Sequence, residues 1–151
     1  MRMYSHFKCK IVFYHIFLPY QAAIVRNHIV IIENDKDVLE IMRYYLEEAG
    51  YVVTGFTTFP SMAELVFMHA DCFIIDEWLP NVSGHAICLM IKAKIQTKLI
   101  PVILTSITNP IDPVTNLCEA DAVVSKVCIS DDLVRVVSAV LIRRMSLSKY
   151  R

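Results

Sequence analysis

The chain has little of what unusual architectures require. Three glycines and six prolines in 151 residues exclude a collagenous or low-complexity protein. Charged residues make up only 20% against 56% hydrophobic, far too apolar a balance for intrinsic disorder. There is no C-x-x-C pair, and the five cysteines, Cys9, Cys72, Cys88, Cys118 and Cys128, are odd in number. Most of them sit inside apolar stretches, which excludes a disulfide framework or a zinc site and fits packed, reduced thiols. A long hydrophobic run is also missing. The best candidate, residues 11–25, is interrupted by His15, Pro19 and Gln21 and is too short to span a bilayer comfortably.

A net charge is absent as a total but not in its distribution. The formal sum is +0. Residues 1–27 carry Arg2, Lys8, Lys10 and Arg26 with no acid, and residues 141–151 carry Arg143, Arg144, Lys149 and Arg151, again with no acid. The stretch between them is therefore strongly acidic. Such a body is a poor nucleic-acid binder, because each phosphate contact needs a cation. Nor does this length contain a helix-turn-helix pattern to support DNA binding. The basic residues, apolar run and Ala22-Ala23 of the N-terminal segment outline a secretory signal, but the body of the chain has an intracellular character. We therefore expect residues 1–27 to be an appendage or the product of a misassigned start, residues 28–145 to be one domain, and residues 146–151 to be a basic tail. The expected location is cytoplasmic, with no membrane partner.

From His28 onward the punctuation is regular. Residues 28–32 form a continuous apolar run ending in Glu33-Asn34-Asp35. Val38, Ile41, Met42, Tyr45, Leu46 and Ala49 then recur at helical spacing, with Asp35 or Asp37 as a cap and Gly50 as the stop beyond the last turn. Residues 51–56 read as a second strand and 61–68 as a short helix. Residues 72–75 form a third apolar run ending in Asp76-Glu77, then a loop from Pro80 to Gly84 and a helix marked by Ala86, Ile87, Met90 and Ile91. Residues 100–104 read as a fourth strand, then Thr105, Ser106 and a loop bearing Pro110 and Pro113. Residues 122–124 lead into Ser125-Lys126, and a final helix starts near Ser130. In that helix Asp131 and Asp132 suit the positive end, and Arg143 and Arg144 the negative end. Strands alternating with helices at this spacing predict βαβ units, a parallel sheet and a doubly wound α/β domain. The uniformly apolar central strands fit a sheet covered on both faces.

In such sheets ligands bind beyond the carboxyl ends of the strands. Polar residues gather there: Glu33-Asn34-Asp35, Asp76, Thr105-Ser106 and Lys126. Taken singly, each has a plain structural role as a cap, a turn residue or a solvated lysine. Their joint arrival at four strand ends is harder to dismiss, since charge next to buried strands is costly unless paired or bound. Two carboxylates with further oxygen donors suit a hard cation such as Mg²⁺. A lysine and a hydroxyl could then meet a phosphoryl group, in a reaction that is mostly positioning and charge stabilisation.

At this point residues 28–145 resemble the receiver domain of bacterial two-component response regulators. The resemblance rests on I-V-I-I-E-N-D, F-I-I-D-E-W-L-P-N-V-S-G, I-P-V-I-L-T-S and A-D-A-V-V-S-K. Its most specific element is the D-x-x-L-P-x-x-x-G loop. It implies a flavodoxin-like (βα)5 sandwich with strand order 2-1-3-4-5, and Asp76 as phosphoacceptor for a histidine kinase or phosphotransfer protein. It also implies Ser106 and Lys126 as phosphoryl-binding groups, and Mg²⁺ held by Glu33, Asn34, Asp76 and the backbone carbonyl of Trp78. The implied function is that of a single-domain receiver signalling to a downstream protein target, with a homodimer among its assemblies. It would be no enzyme beyond catalysing phosphoryl transfer to itself.

Four positions depart from the family pattern. Asn34 stands where a second acid is usual and predicts weak Mg²⁺ binding. Val127 replaces the proline after the lysine, so no cis bond is expected. Val123 replaces an aromatic switch residue, and Trp78 puts a large ring beside Asp76. These departures keep a rival function in view: a degenerate receiver acting as a phosphorylation-independent interaction module. A hydrolase with an aspartate nucleophile would need a second acid where Trp78 stands.

Overall fold

In a computed structural model, residues 26–107 and 118–148 are described. The expected N-terminal appendage up to residue 25, the loop bearing Pro110 and Pro113, and residues 149–151 of the tail lie outside them.

Five parallel strands form one sheet: β1 (His28–Ile32), β2 (Val52–Phe56), β3 (Cys72–Asp76), β4 (Val102–Ser106) and β5 (Ala122–Ser125). Their order is β2-β1-β3-β4-β5, as the resemblance implied. The helices are α1 (Lys36–Glu48), α2 (Met62–Phe67), α3 (Gly84–Ala93) and α4 (Ile129–Ser148), the last entered through a single 3₁₀ turn at Lys126–Cys128. Chain direction across the sheet reverses at β1. The connection to β2 runs outward, whereas the connection from β2 to β3 crosses back over β1. This puts the topological switch point between β1 and β3.

The apolar strands divide their side chains between two layers. Ile29, Ile31, Cys72, Ile74, Ile103 and Val124 face Leu39, Met42 and Leu46 of α1 and Leu133, Val137 and Leu141 of α4. Val30, Ile32, Phe73, Ile75, Val102 and Leu104 face Leu65 of α2 and Ile87, Cys88 and Ile91 of α3. A strand buried on both faces has no polar position to alternate with, hence the runs in the sequence. The cysteines obey the same logic. Cys72, Cys88 and Cys118 are buried free thiols, and Cys128 is an exposed one.

Element ends follow local chemistry. Asp35 caps α1 by accepting from the Asp37 and Val38 N–H groups at 2.9 and 3.2 Å. Gly50, with φ +92°, takes the left-handed conformation that ends this helix. Ser61 and Glu64 form a reciprocal capping box at α2. Two expectations shift. The fourth strand spans residues 102–106 instead of 100–104. Pro101 has no N–H to give the ladder, while Thr105 and Ser106 pair with Asp76 and Ser125 and so belong to the strand. The last helix continues to Ser148, past the arginines expected at its end. Arg144 instead donates to the Asp71 carbonyl at 2.9 Å, tying α4 to the start of β3. No peptide bond among the described residues is cis.

Candidate functional site

Glu33 and Asp76 leave the ends of β1 and β3, the neighbouring strands at the switch point. Both are buried, Glu33 fully and Asp76 with 2% exposed. Lys126, just beyond the end of β5, reaches back across the sheet to both. Its Nζ lies 2.8 Å from Glu33 Oε2, 3.0 Å from Glu33 Oε1 and 2.9 Å from Asp76 Oδ2. One cation therefore bridges two carboxylates.

Burial acts on Glu33 and on Lys126. Desolvation raises the pKa of Glu33, against hydrogen bonds from Lys126 and the Asp35 N–H that lower it. For Lys126, burial works to lower the pKa, but hydrogen bonds to Glu33 and Asp76 outweigh it and the net direction is upward. The lysine is held charged by its two anions.

The loop after β3 supplies the rest. Trp78 donates its backbone N–H to Asp76 Oδ1 at 3.1 Å. The Asn34 amide faces two acceptors, Asp76 Oδ2 and the Trp78 carbonyl. It can satisfy both only by presenting its –NH₂ group, at 2.7 and 3.3 Å. The Trp78 side chain is 68% exposed, so the backbone of that residue is what engages Asp76. Ser106 ends β4, buried, and stands level with Ser125 on β5.

Gly84 explains the spacing of the loop motif. α3 begins so close to the end of β3 that a Cβ at Gly84 would lie 2.2 Å from the Asp76 carbonyl oxygen. No side chain fits there. The Gly84 N–H also donates to the Glu77 carbonyl at 3.1 Å, so loop and helix fix the backbone on which Asp76 sits.

The structure thus brings Glu33, Asn34, Asp76, the Trp78 backbone and Lys126 into direct contact, with Ser106 on an adjoining strand end. Sequence reasoning missed a buried neighbour. Glu77, 6% exposed, points Oε1 to within 3.5 Å of His85 Nε2 in the first turn of α3. The second acid of Asp76-Glu77 was the available signal, but nothing marked His85 as its partner.

A doubly wound parallel sheet with this strand order and an acidic pocket at its switch point defines a CheY-like, flavodoxin-type fold. The family model described as response regulator receiver domain matches residues 29–138, more than half of the chain. The chain belongs to that family. Response regulator SaeR of Staphylococcus epidermidis is 33% identical over 66 residues, which make up 44% of this chain and 29% of SaeR. The matched part is thus under a third of that relative's length. Among solved structures, the signal receiver domain of a signal transduction histidine kinase from Syntrophus aciditrophicus is 28% identical, with a TM-score of 0.68. That match covers 76% of this chain and 89% of the other. Response regulator TrrA from Thermotoga maritima, solved in complex with Mg²⁺-BeF, has a TM-score of 0.66 at 21% identity, covering 76% of this chain and 98% of its own.

Proposed function

We propose that this receiver accepts a phosphoryl group on Asp76 from a histidine kinase or phosphotransfer protein and passes the signal on through protein–protein contacts. The observation that carries this reading is the pocket itself: a buried carboxylate at the end of β3, paired at 2.9 Å with a lysine that also holds the neighbouring Glu33. Two anions and a cation at a strand end have no packing role that apolar residues would not fill better.

In the reaction, an Asp76 oxygen attacks the phosphorus of a phosphohistidine. The new O–P bond forms as the P–N bond breaks, and the imidazole leaves with the electron pair. Lys126 offsets charge on the phosphoryl oxygens, a purely electrostatic contribution. The Trp78 N–H orients the carboxylate through Oδ1. The Ser106 hydroxyl, on the adjoining strand end, is the further donor this reading assigns to the phosphoryl group. The donor chemistry of the pocket suits a divalent cation: Glu33, Asp76 and the Trp78 carbonyl offer hard oxygens. Mg²⁺ held there, with the Asn34 amide oxygen, would supply positive charge against which the phosphoryl anion can approach. Its binding would be weak, because Asn34 brings no negative charge to a site whose attraction for a divalent ion is largely Coulombic.

In this reading the chain is a phosphoacceptor in a cytoplasmic two-component system and not an enzyme, apart from catalysing its own modification. The partners are a phosphodonor and a downstream protein, and neither nucleic acid nor membrane is needed. Among the described residues no helix is long and apolar enough to cross a membrane. Incubation with acetyl phosphate and Mg²⁺, then intact-mass measurement, tests the reading. One added phosphoryl group on the wild type and none on Asp76→Asn supports it. An unchanged wild-type mass with acetyl phosphate and with every candidate kinase sinks it, in favour of a phosphorylation-independent interaction module.

A further inference from the structure

Asn34 removes a charge from the acidic pair, but its geometry does more. Turned so that its –NH₂ faces the two acceptors around it, the one orientation that satisfies both, the Asn34 amide puts its nitrogen 2.7 Å from Asp76 Oδ2 and 3.3 Å from the Trp78 carbonyl oxygen. These are two of the groups to which the proposed phosphoacceptor function, on which this inference rests, gives the cation. A side chain in the cation's position could have offered its oxygen to an ion. Here it offers hydrogens to the ion's ligands instead.

We infer that the Asn34 amide is a built-in plug: it takes up the acceptors a divalent cation would use, and the cation binds only by displacing it. The bond to Asp76 is charge-assisted, and such bonds are stronger than neutral ones. Asp76 Oδ2 is shared between Asn34 and Lys126, so both of the donors on that oxygen are the chain's own. To act as a ligand through its amide oxygen, Asn34 must rotate and give up both contacts. Asp76 Oδ2 and the Trp78 carbonyl are therefore satisfied without an ion, whereas an acidic residue at position 34 would repel Asp76 and require one.

The plug makes a prediction that lost charge alone does not. If Asn34 weakened cation binding only by lacking a negative charge, removing its side chain would leave affinity unchanged or lower it by deleting an oxygen ligand. If the amide is a competitor, removing it opens the pocket. A water can replace the lost oxygen, since Mg²⁺ readily keeps several. Asn34 is exposed and outside both core layers, so its truncation leaves the fold intact.

The experiment is titration of the full chain with MgCl₂ alone, with no phosphodonor, read by Trp78 fluorescence and by calorimetry. Wild type, Asn34→Ala and Asn34→Asp are compared, and thermal melts establish that all three fold. We expect half-saturation roughly tenfold to a hundredfold lower in Asn34→Ala than in wild type, the equivalent of one charge-assisted hydrogen bond, and lower still in Asn34→Asp. An Asn34→Ala affinity equal to or weaker than wild type overturns the inference, as does the absence of a saturable response in all three proteins. Because no phosphoryl transfer is measured, the outcome is independent of whether Asp76 is phosphorylated.

Discussion

Replacing Lys126 by methionine keeps most of the length of the side chain but deletes the charge that bridges Glu33 and Asp76. The lysine side chain is only 13% exposed, and its carboxylate partners are 0% and 3% exposed. The variant therefore leaves two carboxylates facing each other beside the core with no cation. Removing one partner of a buried ion pair costs about 3–5 kcal/mol. For a domain of this size that corresponds to a fall of roughly 10–20 °C in melting temperature. The cost depends on pH in a defined direction. Without Lys126 the pKa of Glu33, already raised by burial, rises further. An acid whose folded pKa lies above its unfolded value binds more protons when folded, so stability falls as pH rises through that window. The gap between the two proteins is accordingly small near pH 4 and widens above the ordinary glutamate range. Lys126, with its own pKa raised, contributes stability that is complete below its unfolded value and lost as pH climbs through the folded one. Wild type alone should show this alkaline loss. Urea denaturation of both proteins at a series of pH values measures all of it. Equal stabilities at neutral pH, or a gap that does not change between pH 4 and 7, would refute the reasoning.

Gly84→Ala drives a methyl group into the Asp76 carbonyl, 2.2 Å from its expected position. It should cost about 1–3 kcal/mol by denaturant midpoint and slow acetyl-phosphate labelling by more than the stability loss explains. Ser61→Ala dismantles the capping box of α2 and should lose about 1 kcal/mol while leaving labelling of Asp76 unchanged, a control for stability effects remote from the pocket. Among the described cysteines, Cys128 is exposed, whereas Cys72 and Cys88 are buried and their thiol pKa values are pushed up by desolvation. Timed reaction with a thiol reagent and subsequent peptide mapping should find Cys128 modified first, and Cys72 and Cys88 only on unfolding.

The central strands β1, β3 and β4 were legible because burial on both sides leaves their sequences largely apolar, and α1 because Leu39, Met42 and Leu46 recur on one face. The end of β4 lies two residues beyond where its sequence suggests. Thr105 and Ser106 look like turn residues in isolation, and only pairing with β3 and β5 shows them to be strand. Pocket residues were legible as a set, since acids, hydroxyls and a lysine come at the ends of four strands, β1, β3, β4 and β5, that the topology makes neighbours. What the pocket residues do to one another was not legible. Whether Asn34 offers its oxygen or its nitrogen depends on the acceptors around it, and Asp76 Oδ2 and the Trp78 carbonyl meet it only in three dimensions. The Glu77–His85 contact likewise needs the tight packing at Gly84, which brings the start of α3 against the end of β3. Arg144, read as a helix-end charge, is instead a tether to Asp71 because α4 continues beyond it.

The central claim is that Asp76 is the phosphoacceptor, and its most direct test is covalent mapping of the site. The chain is incubated with acetyl phosphate and Mg²⁺, the acyl phosphate is reduced with borohydride, and the digest is sequenced by mass spectrometry. The account predicts a single reduced residue, at position 76, with a lower yield in Lys126→Met. Reduction at Glu33, Glu77 or another carboxylate while Asp76 stays unmodified would contradict it.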